Sequence, residues 1–164
     1  MALYICSLVM NAAQTVPSQS AYYNVRFDYE TPTADHWEMH RPNQPDGGTS
    51  VSGDERSSLI WPQVAGWATV IGYAVWNYNA SWSATQEVRA QFCRDPLNLT
   101  TGADSTATVD DANTPGGQYK HYMHQMFVSP NTPVSFQLKH QSGVPAVISH
   151  AQFKMAIESD VAYP

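Results

Sequence analysis

Charge is what this 164-residue chain has least of: Asp, Glu, Lys and Arg together make up 13% of it, about half the share in a typical soluble domain. The eight Lys and Arg are scattered singly and the net charge is −6. A nucleic-acid partner needs a basic stripe, so none is expected. Two cysteines, Cys6 and Cys93, allow at most one disulfide. They lack metal-ligand spacing, and both read as free thiols. No apolar run is long enough to span a bilayer, so no membrane partner is expected. The N-terminal run Leu3 to Val9 lacks the basic flank of a signal peptide and reads as a first strand or an inter-subunit arm over residues 1–10. No segment holds a period of 3.6 for three turns, which excludes long helices.

Catalytic signatures are missing as well. There is no Gly-x-Ser-x-Gly elbow, and Cys93 shares a strand face with Arg89 and Gln91 without a base beside it. His121 and His124 stand three apart on an expected strand, so they point to opposite faces and do not chelate one ion. His36 and His40 are four apart without the Glu of a metalloprotease pattern. The carboxylates Asp28, Glu30 and Asp35, and Asp104, Asp110 and Asp111, lack calcium-loop spacing and read as solvated loop charge. The expectation is a non-enzyme with no metal and no cofactor.

What the chain does have is a strand that is apolar on both faces. From Gly66 to Tyr78, Trp67, Thr69, Ile71, Tyr73 and Val75 alternate with Ala68, Val70, Gly72, Ala74 and Trp76, and neither set carries charge. Such a run must be covered on both sides. A second sheet of the same sandwich covers one, and a second copy of the chain is the cheapest cover for the other, with a long loop of the same chain as the alternative. The small residues Ala68, Gly72 and Ala74 suggest the side where another backbone approaches.

The rest of the chain supplies strands and turns. In Tyr22 to Glu30, Tyr23, Val25, Phe27 and Tyr29 alternate with Asn24, Arg26, Asp28 and Glu30, the pattern of one half-buried strand. Residues 31–58 are polar and rich in Pro and Gly, and connections of such length tend to be functional. Asp35 to Arg41 reads as a short ordered piece within them. Further strands are expected at Leu59 to Pro62, Thr85 to Arg94, Ser105 to Val109, Tyr119 to Ser129, Pro133 to His140 and Ala146 to Glu158. In the last of these, Ser149, Ala151, Phe153, Met155 and Ile157 form the inward set. About eight to ten short strands without helices predict an all-β antiparallel sandwich or jelly roll, a single domain over 11–164 with a long loop at 31–58.

Three groups of residues, in this order, resemble the tumour necrosis factor and complement globular-head superfamily of trimeric jelly rolls. The first is Ala13-Gln14-Thr15-Val16-Pro17, then Val25-Arg26-Phe27-Asp28, with Met39-His40 beyond. The second is Ile60 and Pro62, then Val64-Ala65-Gly66-Trp67 and the alternating run to Trp76. The third is the Glu87 to Phe92 strand, the Tyr119 to Val128 strand, Pro133-Val134-Ser135-Phe136-Gln137-Leu138 and the final strand. The pattern covers most of residues 11–158 and is similar in particular to versions of this module in tailed-bacteriophage particles.

The resemblance implies a TNF-like homotrimer with one sheet of each copy packed round a threefold axis. Ala68, Val70, Gly72, Ala74, Tyr122, His124, Ile148 and His150 are the interface residues expected on it. It further implies a virion protein at the capsid surface that decorates and stabilises the capsid by binding the major capsid protein, or a head-fibre protein. The arm residues Leu3, Tyr4, Ile5, Leu8 and Val9, or the 31–58 connection, are expected to reach the capsid. A second reading makes Trp76, Tyr78 and Trp82 a stacking platform for a host surface glycan on a tail-fibre tip. A third is a secreted TNF-like ligand, against which the lack of a signal peptide and stalk counts.

Overall fold

β-Branched and aromatic residues at period two, cut by Gly, Pro and Asn turns, produce strands and little else. The computed structural model describes residues 2–27, 29–30, 37–40, 44, 55–81, 87–99, 104–111 and 118–160, with the backbone alone at 29–30, 55 and 104–111. Among them the strands are β1 (Ala2–Val9), β2 (Gln14–Val16), β3 (Tyr23–Asn24), β4 (Tyr29–Glu30), β5 (Leu59–Ile60), β6 (Gly66–Trp76), β7 (Glu87–Arg94), β8 (Asp104–Asp111), β9 (Gln118–Val128), β10 (Val134–His140) and β11 (Ala146–Ser159). Glu55–Ser58 form one 3-10 turn. No described helix is long and apolar enough to cross a membrane.

All pairings are antiparallel, as in an all-β jelly roll. The first sheet runs β4-β1-β11-β6-β9 with β2 also on β11, and the second runs β3-β10-β7-β8 with β5 also on β10. With 14 residues, β11 is long enough to hold β1 along Gln152–Ser159 and β2 at Ala146–Ile148, end to end on one edge.

The core lies between the sheets. Tyr4, Cys6 and Leu8 of β1, Phe153, Met155 and Ile157 of β11 and Val70 of β6 face Val88 and Phe92 of β7 and Val134, Phe136 and Leu138 of β10, all buried. Phe136 is the hub, with ring centroids 5.5 Å from Phe92, 6.0 Å from Tyr122 and 6.2 Å from Phe153. Burying one such side chain contributes about 1.5–3 kcal/mol.

Of the two readings of the N-terminal run, the first strand is the one observed, since every residue from Ala2 to Val9 pairs with β11. Two other sequence expectations are corrected. Tyr22 to Glu30 is not one strand: β3 pairs with β10 in the second sheet and β4 with β1 in the first. The chain crosses between sheets there, with Val25 and Phe27 buried on the way. The Gln14 amide stands in for the missing strand partner, accepting from Arg26 N at 3.0 Å and donating to Arg26 O at 2.6 Å. Lastly, β11 carries a bulge between Ile148 and His150. The extra residue turns Ser149 outward and gives its inward place to Ile148.

Most of the 31–58 connection lies outside the described residues. Its described pieces are pinned: Trp37 packs on Tyr4 with centroids 4.6 Å apart, Trp61 N donates to Met39 O, and His40 Nε2 bonds to Ser57 O. The ordered piece expected at Asp35 to Arg41 is thus present at Trp37 to His40.

Candidate functional site

The register of the first sheet lays its outward side chains out as a grid across β1, β11, β6 and β9. Successive rows are Leu3, Glu158, Trp67 and Phe127; Ile5, Ala156, Thr69 and Gln125; Ser7, Lys154, Ile71 and Met123; Val9, Gln152, Tyr73 and His121. A last row holds His150, Val75 and Tyr119. Trp67 (64% exposed), Tyr119 (75%), Met123 (71%), Leu3, Ile5 and Phe127 all lie here. Among the described residues, the other large exposed hydrophobics are Tyr78 and Leu99.

Trp67 and Phe127 meet edge to face at 5.9 Å at one end of the face. Four rows of four side chains and one of three cover about 20 Å by 30 Å, roughly 600 Å² of sheet face, close to the roughly 800 Å² one partner gives to a stable interface. Glu158, Lys154, Gln125, Gln152 and His121 share that face with the apolar groups.

The outer face of the second sheet is different. Asn24, Gln137 and Gln91 stand in one row, with Gln137 Nε2 donating to Asn24 Oδ1 at 2.6 Å and Gln91 Nε2 to Gln137 Oε1. Arg89 and Lys139 flank that row, and Arg89 pairs with Glu87. Among the described residues this outer face shows no large exposed apolar side chain, and Ser135, Gln137 and Cys93 on it are buried.

Six of the eight expected interface residues face the core of the sandwich. Ala68, Val70, Ala74, Tyr122 and Ile148 are buried in the core, and Gly72 lies against the ring of Phe136. The close approach that the small residues permit is made by the second sheet and not by another copy. The larger set, Trp67, Ile71 and Tyr73, is the one left outside. His124 is exposed although its neighbours in period, Tyr122 and Met126, are buried; His150 is half-buried on the outer face.

Of the expected capsid-contact residues, Tyr4 and Leu8 are fully buried, whereas Leu3, Ile5 and Val9 belong to the apolar grid. The expected glycan platform loses Trp76 to the core; its ring meets His140 edge to face at 5.7 Å. Tyr78 is 66% exposed, and Trp82 lies outside the described residues. Cys6 and Cys93 are buried and form no disulfide. No group of three metal-ligating side chains occurs among the described residues.

No protein-family model and no curated protein matches the sequence. Solved structures do match the fold. The globular domain of zebrafish complement 1qA protein superposes with a TM-score of 0.57 at 11% identity, over 93% of this chain and 94% of that one. Eiger TNF from S. frugiperda gives 0.59 at 9% identity, over 99% and 96%. Murine APRIL gives 0.57 at 7%, over 96% and 100%. The chain therefore has the jelly-roll fold shared by these complement and tumour necrosis factor structures.

Proposed function

We propose that this chain is a non-enzymatic structural protein of a tailed-bacteriophage virion, a homotrimer that decorates the capsid surface and cements neighbouring copies of the major capsid protein. The observation that carries the assembly is the apolar grid on the first sheet, set against the polar outer face of the second. Three copies bury their grids on one another and leave their second sheets to solvent. The virion role is supported by the resemblance of the Ala13–Pro17, Val64–Trp76 and Pro133–Leu138 groups to phage versions of this module. A thinly charged chain suited to burial in a large assembly supports it too. With β1 locked into the sheet, the 31–58 connection is the candidate for reaching the capsid. Each trimer would present three such connections, and several weak contacts held together gain affinity through effective concentration.

The test has two parts. Sedimentation of the purified chain at micromolar concentration is expected to give three times the chain mass, and a stable monomer overturns the assembly. Antibody labelling of purified particles is expected to show many copies over the head. Label confined to the tail, or absent, overturns the capsid role.

A further inference from the structure

The apolar grid is interrupted round Tyr73. Ile71, Tyr73, His121, Gln152 and Lys154 line a cavity of about 380 Å³ on the outer face. His121 and His150 flank the Tyr73 ring edge to face, with centroids 5.8 and 5.9 Å away. We propose that this cavity is a binding site for a small oxyanion of the sulfate and phosphate class, enclosed at the seam between copies; the enclosure rests on the assembly proposed above.

The lining supplies donors and no carboxylate. Lys154 brings an ammonium with three N–H groups, Tyr73 a phenol and His121 an imidazole. Gln152 brings an amide whose Nε2 lies 3.2 Å from His150 Nε2, leaving its second N–H for a ligand. Among the described outward side chains of β1, β11, β6 and β9 the acid is Glu158, four residues along β11 from Lys154. At the rise of a strand that is about 13 Å, beyond the roughly 8 Å over which salt screens exposed charges. The remaining neighbours carry no compensating charge: β1 contributes Leu3, Ile5, Ser7 and Val9, β6 contributes Thr69 and Val75, and β9 contributes Tyr119, Met123 and Gln125.

Covering this face with a second copy strips water from Lys154, which is costly unless an anion meets it. A bound oxyanion removes that cost through short charge-assisted hydrogen bonds to the ammonium and the imidazole.

Sulfate is the probe. Titration calorimetry of the full chain, against chloride at matched ionic strength, is expected to show saturable sulfate binding. Lys154→Met should weaken it by about tenfold or more, and Lys154→Arg should retain it. Absence of a sulfate-specific signal, or equal binding by Lys154→Met, overturns the site. Sedimentation of the same samples separates the two ideas. A trimer indifferent to sulfate overturns the site and keeps the assembly, whereas a monomer that binds sulfate keeps the cavity site and overturns the seam.

Discussion

A Cβ built on Gly72 would lie 2.6 Å from Cζ and 2.7 Å from Cδ2 of Phe136, inside the contact distance of real side chains. The glycine is there because the hub of the core needs the space. Gly72→Ala is expected to destabilise the fold by about 1–3 kcal/mol through overpacking, measured by urea unfolding, and Phe136→Leu in the same background should recover part of that loss. Failure of the double variant to recover anything would mean that the strain lies elsewhere. His140 presents a second residue-scale case. It is buried, with Nε2 2.9 Å from Val16 O and Nδ1 3.0 Å from Ser142 Oγ. A carbonyl only accepts, so Nε2 carries the proton and donates. Burial pushes the His140 pKa below its ordinary value, and the bond to Val16 O opposes this only in part. The unfolded chain therefore takes up a proton at a higher pH than the folded chain does. The stability this provides is complete above about pH 6.5, the unfolded value, and is lost as pH falls through the lower folded value. Urea midpoints at pH 8 and pH 5 should show a larger acid loss for the wild type than for His140→Gln.

At the scale of elements, most strands were legible because a period of two with one apolar face leaves a single solution. β7, β10 and β11 lie where the alternation put them. Legibility failed where one segment serves two sheets, as in Tyr22 to Glu30, since alternation records burial and not which sheet does the burying. It failed again at Ser149, because a bulge shifts the phase of one end of a strand without any Gly or Pro to announce it. β1 carries the largest consequence. Removing residues 2–9 would strip Tyr4, Cys6 and Leu8 from the core and bare the edge of β11. At about 1.5–3 kcal/mol for each large apolar side chain, that loss rivals the whole net stability of a domain, about 5–15 kcal/mol. The truncated chain is expected to lose its β circular-dichroism signature or to aggregate. A folded truncated protein would restore the arm as a separable element.

For the whole molecule, the sequence showed that β6 needs cover on two sides but not which side faced which cover. No charge sits on either face of the strand to set the phase. Small residues were the available cue, and the core used them for Phe136. The register puts the larger residues outside instead, and under the proposed assembly that face is where a charge would do most damage. Met123 is 71% exposed, in the same row as Ile71 and Lys154. In an isolated subunit Met123→Glu changes a solvated side chain and should leave the unfolding midpoint within about 0.5 kcal/mol of wild type. In a trimer sealed through this face it places a carboxylate in each copy at a desolvated seam, at a cost of several kcal/mol per charge. Sedimentation should then report a folded monomer for Met123→Glu. Gln91→Glu, on the polar outer face of the second sheet, should leave the trimer intact. Equal assembly of both variants would place the seam elsewhere, and dissociation by Gln91→Glu alone would move it to the second sheet.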